Sequence, residues 1–100
     1  METQEISTRT GEAFAVELSA LGSAGCQWNV QNLPEEVLLE STVTKVPAGA
    51  LPGDAVRQCF GFRALRAGKY TITFIYKRQW EHEVAATHVV SVEVQQGSLD

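Results

Sequence analysis

Apolar and polar residues alternate along most of this chain, and no segment keeps a helical period for three turns. Because successive side chains of a β-strand point to opposite faces of a sheet, this alternation predicts strands with one buried face. The apolar series that share a face are Phe14, Val16 and Leu18; Phe60, Phe62 and Ala64; Tyr70, Ile72, Phe74 and Tyr76; and Val90, Val92 and Val94. The pattern therefore predicts an all-β chain.

Three weaker segments complete the predicted strand set. Residues 5–8 form a short first strand, and Trp28 and Val30 mark a third strand. Residues 35–45 begin like a helical turn, but the β-branched run Thr42-Val43-Thr44 favours an edge strand. The loop at 46–54 contains two prolines and two glycines, which a central strand could not hold.

Seven short strands in 100 residues predict a single domain at 1–95, followed by a tail at 96–100. The expected fold is an immunoglobulin-like antiparallel β-sandwich of about seven to eight strands. Loops cluster at the two ends of such a sandwich. The connections at 21–25, 47–56 and 77–86 are therefore expected to emerge together at one end.

Charge and composition exclude several partners. The net charge is −4 and no basic cluster is longer than Lys77-Arg78, which argues against nucleic acid or an anionic membrane as a partner. No segment reaches the length of a membrane-spanning helix, and we expect no membrane partner. We also expect a monomer. The N-terminal residues lack the basic and apolar blocks of a signal peptide. We expect a cytoplasmic protein if Met1 is the native start, and a periplasmic or secreted one if a leader was removed.

Catalytic and metal-binding chemistry has little support. Cys26 and Cys59 could form one disulfide, but each lies near an aromatic residue in a strand-like run, which favours two buried free thiols. Neither cysteine is expected at a helix N-terminus or among cations that would lower its pKa, so a nucleophile pair with His88 is not expected. Glu81-His82-Glu83 places a histidine between carboxylates, but alternate residues point apart and no second histidine is near. We expect no catalytic residue, metal or cofactor.

Trp80 is the most informative residue, because it follows the strand pattern into the charged segment Lys77-Arg78-Gln79-Trp80-Glu81. Tryptophan and arginine are enriched at the energetic centres of protein interfaces. Two interpretations remain open: Trp80 contacts a partner protein, or it covers the open end of its own domain.

The three loops resemble those of the chagasin family of cysteine-peptidase inhibitors. That family carries Asn-Pro-Thr-Thr-Gly followed by an aromatic residue, any residue and Trp; then Gly-x-Gly-Gly; then Arg-Pro-Trp. This chain matches the first motif at Gly25 and Trp28, the second at Gly53, and the third at Arg78 and Trp80. The resemblance extends from about Gly11 to Val94, with Phe60, Gly68 and Tyr76 at supporting positions.

The resemblance implies a papain-like cysteine peptidase as partner and three loops that occlude its cleft. The residues that would contact the target are Ser23, Ala24, Gly25, Gly53, Asp54, Arg78, Gln79 and Trp80. Leu21-Gly22 replaces the Asn-Pro pair that would stiffen the first loop, Ala55 and Val56 replace glycines of the second, and Gln79 replaces the proline of the third. These departures favour weaker binding.

Two functions from different classes therefore remain. The chain is a proteinaceous inhibitor of papain-like cysteine peptidases, or it is a non-inhibitory immunoglobulin-like interaction domain that retains only the scaffold. The second interpretation expects Trp80 to be mostly buried against its own sandwich. An enzyme that uses Cys26 or Cys59 has the least support.

Overall fold

The computed structural model describes residues 2–21, 25–51, 54–78 and 80–97. These residues form seven strands: β1 (Glu2–Arg9), β2 (Ala13–Ala20), β3 (Cys26–Asn32), β4 (Val37–Lys45), β5 (Val56–Ala64), β6 (Gly68–Arg78) and β7 (Ala86–Gln95). The described part of the chain contains no helix, and the prediction of an all-β fold is confirmed.

The strands form two sheets. One sheet has the order β1-β7-β6-β3 and the other has the order β2-β5-β4. Four of the five pairings are antiparallel, whereas β1 runs parallel to β7. The alternation of residues could not reveal this, because side chains alternate between faces in both kinds of pair.

A single apolar core fills the space between the sheets. It contains Val16 and Leu18 of β2, Val37 of β4, Phe60, Phe62 and Ala64 of β5, Ile72 and Phe74 of β6, and Val90, Val92 and Val94 of β7. Phe74 contacts residues of the opposite sheet, with its ring centroid 5.0 Å from that of Phe60 and 6.0 Å from that of Phe62. The inward faces predicted from the sequence are confirmed, and the domain is an immunoglobulin-like sandwich.

The edge strand β3 is held to the other sheet by a buried glutamine. Trp28 N donates to Gln58 Oε1 at 2.8 Å, and Gln58 Nε2 donates to Trp28 O at 3.4 Å. A side chain of β5 thus satisfies both backbone groups of a residue whose strand lies at the edge of its sheet. This contact fixes the start of β3 relative to β5.

The observed strands are mostly longer than the predicted ones. The first extends over Glu2–Arg9 rather than 5–8, and β5 begins at Val56 rather than at Cys59. The segment 35–45 becomes strand only from Val37, and it is an edge strand as predicted. Backbone pairing continues into residues without an alternating pattern, because ladder hydrogen bonds do not depend on the side chain.

Candidate functional site

Three connections meet at one end of the sandwich. Cys26, which follows the first loop, pairs with Arg78, which precedes the third. Ala20, which precedes the first loop, pairs with Val56, which follows the second. The expected convergence of the three loops is therefore confirmed by the strand register.

The third loop begins with a closed turn. Glu81 N donates to Arg78 O at 3.2 Å, and Lys77 Nζ donates to Glu81 O at 3.0 Å. Arg78 Nη1 also lies 3.3 Å from Glu81 Oε1, in an ion pair between half-exposed side chains. Trp80 lies within this turn, and the residue is 72% exposed. The turn therefore presents a large apolar ring to solvent rather than to the core.

The first loop is attached to the sandwich at both of its ends. Leu21 N donates to the Tyr76 hydroxyl at 2.9 Å. Gly25 has φ +76°, a conformation that side chains with a Cβ rarely adopt. A Cβ at Gly25 would stand 2.9 Å from Cη2 of the Trp80 indole, so the ring rests against the glycine backbone. The end of the first loop and the indole of the third are in contact.

Trp28 anchors this end to the core. Its ring centroid lies 4.9 Å from that of Tyr76, and its Nε1 donates to Ser19 O at 2.9 Å. The ring also packs against the core cluster. The tryptophan of the first motif is therefore a supporting residue beneath the loops, and Trp80 is the exposed one.

The second loop is held by hydrogen bonds at two places. Ala50 N donates to Pro47 O at 3.1 Å, and Gly49 has φ +78° within this turn. Further along, Asp54 N donates to Leu51 O at 3.0 Å, and Leu51 N donates to Asp54 Oδ2 at 2.8 Å. Asp54 therefore has a partner within its own loop. Val56 belongs to β5 and not to the loop.

Exposed apolar side chains surround the three loops. Among the described residues, the large apolar ones exposed at this end of the fold are Leu21, Val46, Leu51, Trp80 and Val84. Only Trp80 was identified from the sequence as a contact residue. The other four are apolar residues within polar or glycine-rich loops, a pattern that indicates exposed apolar side chains. Exposed apolar side chains on neighbouring loops are typical of a protein-binding surface.

Four of the eight predicted contact residues lie within the described residues. Gly25, Arg78 and Trp80 come together, with Arg78 paired to Cys26 next to Gly25. Asp54 is held in the second loop by Leu51. The other four, Ser23, Ala24, Gly53 and Gln79, lie outside the described residues, as do the last three residues of the predicted tail.

Both cysteines are free thiols, as favoured from the sequence, but only Cys59 is buried, whereas Cys26 is half-buried. The expectation that neither lies among cations is wrong for Cys59. Its neighbour Glu17 pairs with Lys45 at 3.5 Å and with Arg57 at 3.9 Å. Burial nevertheless raises the pKa of the Cys59 thiol, and the hydrogen bond from its Sγ to Glu17 Oε1 acts in the same direction. This thiol is not activated as a nucleophile.

The described residues contain no cluster of histidine, cysteine or carboxylate side chains that could hold a metal ion. Within the same residues, no helix has the length and apolar character needed to cross a bilayer.

A sequence model of one protein family, described as "Chagasin family peptidase inhibitor I42", matches residues 7–94. The chain belongs to the chagasin family of peptidase inhibitors. It is accordingly an inhibitor and not an enzyme. A comparison with curated proteins finds no significant match.

Solved structures share the chagasin-type fold. The cysteine protease inhibitor EhICP2 from Entamoeba histolytica matches with a TM-score of 0.72 at 21% identity, over 94% of this chain and 95% of that one. Amebosin matches with a TM-score of 0.70 at 21% identity, over 93% and 88% of the two chains. PbICP-C, solved in complex with falcipain-2, matches with a TM-score of 0.69 at 20% identity, over 94% and 88%. At these identities the likeness concerns the fold alone.

Proposed function

We propose that this chagasin-family chain inhibits papain-like cysteine peptidases by inserting the three-loop end of its sandwich into the active-site cleft. The observation that carries the proposal is the exposed indole of Trp80 in contact with Gly25, at the end where all three loops meet. Among the structures of similar fold, EhICP2 is a cysteine protease inhibitor and PbICP-C was solved with a peptidase bound.

Each loop has a role in the proposed complex. Ser23, Ala24 and Gly25 enter the cleft beside the catalytic cysteine. Gly53 and Asp54 contact one wall, mainly through the backbone. Arg78, Gln79 and Trp80 pack on the other wall, where the closed turn and the contact with Gly25 hold the indole in place before binding.

Magnitudes support the involvement of all three loops. An aromatic side chain buries about 150–250 Å² when fully desolvated. At roughly 25 cal/mol per Å², Trp80 alone could contribute on the order of 4–6 kcal/mol before ordering costs. A standard interface needs about 800 Å² from each partner, which one side chain cannot supply. The apolar residues of the first two loops, Leu21, Val46 and Leu51, are exposed and could extend the contact.

The alternative of a non-inhibitory domain that keeps only the scaffold expected Trp80 to be mostly buried against its own sandwich. The residue is 72% exposed. The exposure of Trp80 therefore does not support the non-inhibitory alternative.

The test is a titration of the purified protein against two or three papain-like peptidases, with a serine peptidase as a control. We expect inhibition of at least one papain-like enzyme and none of the serine peptidase. No inhibition at micromolar concentration, or steady cleavage of the inhibitor between Leu21 and Gly25, would overturn the proposal.

A further inference from the structure

The first loop lacks the stiffening that its family motif would supply, because Leu21-Gly22 stands where Asn-Pro would be. Ordering a flexible inhibitory loop on binding costs conformational entropy, which weakens the affinity. A flexible loop also adapts more easily to the active site of the peptidase, where it is cleaved as a substrate. The structure provides another form of restraint. Leu21, at the beginning of the loop, is hydrogen-bonded to Tyr76, and Gly25, at its end, lies against Trp80.

We propose that Tyr76 is a positioning residue for inhibition, which fixes the start of the first loop through its hydroxyl. The hydroxyl accepts from Leu21 N at 2.9 Å. The backbone carbonyl of the same residue accepts from Ala85 N at 2.8 Å at the end of the third loop, a bond that does not depend on the tyrosine side chain. This inference rests on the proposed function, because it assigns Tyr76 a part in the same inhibitory site.

Tyr76 is itself held firmly enough to act as an anchor. It pairs with Trp28 across β3 and β6, and the two ring centroids are 4.9 Å apart. Trp28 is fixed in turn by Ser19 through its indole and by Gln58 through its backbone. The Tyr76 hydroxyl that binds Leu21 is therefore held in place by contacts with residues of both sheets.

The opposite end of the same strand supplies a matched control. Tyr70 lies on the same face of β6, and the single proton of its hydroxyl is shared between Arg66 O at 3.0 Å and Ala67 O at 3.2 Å. These bonds close the turn before β6, far from the three loops. Tyr70→Phe and Tyr76→Phe remove the same hydroxyl group and leave the same ring. Tyr70→Phe loses a donor to carbonyl oxygens at the far end of the strand, whereas Tyr76→Phe loses the acceptor of Leu21 N beside the three loops.

The experiment measures the inhibition constant, thermal stability and cleavage of the inhibitor for the wild-type protein and both variants against a papain-like peptidase. We expect Tyr76→Phe to raise the inhibition constant roughly three- to tenfold, the range of one lost hydrogen bond, and Tyr70→Phe to leave it unchanged. We also expect the peptidase to cut Tyr76→Phe between Leu21 and Gly25 faster than the other two proteins, as seen by mass spectrometry. A purely structural role would change stability in both variants without this difference.

The outcomes separate the two proposals. If the wild-type protein does not inhibit, the proposed function is overturned. If the wild-type protein inhibits and Tyr76→Phe matches Tyr70→Phe in inhibition constant and in cleavage, the positioning role alone is overturned. Loss of hydrogen-exchange protection at the Leu21 amide in Tyr76→Phe, with protection kept in Tyr70→Phe, would support the anchor directly.

Discussion

The indole of Trp80 lies against the backbone of Gly25, close enough that a Cβ at Gly25 would stand 2.9 Å from Cη2 of the ring. Gly25 also has φ +76°. Two requirements therefore fall on one residue: a backbone conformation that glycine adopts at little cost, and a surface without a side chain on which the ring can rest. The glycine of the first loop motif and the tryptophan of the third depend on each other.

Gly25→Ala should weaken inhibition because it disturbs both relationships. The positive φ disfavours alanine, and the added Cβ displaces the indole from the position in which it would meet the peptidase. We expect a loss of stability of about 1–2 kcal/mol and at least a tenfold rise in the inhibition constant. Thermal denaturation and inhibition assays measure the two effects separately.

Gly11→Ala is the matched control for this variant. Gly11 has φ +80°, and a Cβ there would meet nothing within 4 Å. It lies between β1 and β2, at the end of the sandwich away from the three loops. The variant should cost similar stability while leaving the inhibition constant unchanged. Equal effects of Gly25→Ala and Gly11→Ala on inhibition would show that the contact between Gly25 and Trp80 is unimportant for binding.

Trp80→Ala should reduce affinity with little effect on stability, because the side chain is largely exposed in the free protein. The expected loss is tenfold or more, which corresponds to about 1.4 kcal/mol or more. Leu65→Ala removes another exposed apolar side chain, at the opposite end of the sandwich, and should leave the inhibition constant unchanged. Comparable inhibition by wild-type protein and Trp80→Ala would exclude Trp80 as an interface residue.

Gln58→Ala should destabilise the fold and loosen the start of β3. The variant leaves Trp28 N and Trp28 O without the side-chain partner that now bridges the sheets. We expect the free energy of unfolding to fall by about 1–3 kcal/mol in urea denaturation. Gln27→Ala, on the exposed face of the same strand, should change it by less than about 0.5 kcal/mol. Similar values for the two variants would contradict a structural role for the Gln58 amide.

Cys59 should react slowly with a thiol reagent near neutral pH, because burial and Glu17 raise its pKa and keep the thiol protonated. In Cys26→Ser, where Cys59 is the remaining thiol, we expect labelling at least about tenfold slower in the folded than in the denatured protein. The raised pKa favours the neutral thiol in the folded state. Its contribution to stability is therefore complete below the ordinary thiol pKa and is lost as the pH rises through the raised value. Rapid labelling of folded Cys26→Ser would contradict this assignment.

The positions and inward faces of most strands could be predicted from the sequence, whereas several side-chain contacts could not. The series from Phe60 to Ala64 and from Tyr70 to Tyr76 alternate clearly, and their apolar faces are the ones that pack in the core. The role of Gln58 was missed because its strand was predicted to begin at Cys59. Gln58 is two residues before Phe60 on the same strand, so both side chains lie on the inward face. A polar residue on an inward face carries no apolar signal, so its role becomes visible only when its hydrogen-bond partner is located.

Alternation, loop composition and motif spacing determined from the sequence alone that this is a sandwich with three unusual loops at one end and that the loops resemble those of chagasin-family inhibitors. Those features are local, since strand periodicity and turn residues depend on near neighbours along the chain. Only the tertiary structure decided that Trp28 is a support and Trp80 is exposed, that Gly25 lies under the indole, and that Tyr76 reaches Leu21 across 55 positions of sequence. These relationships depend on how the two sheets are placed against each other, which no local pattern encodes.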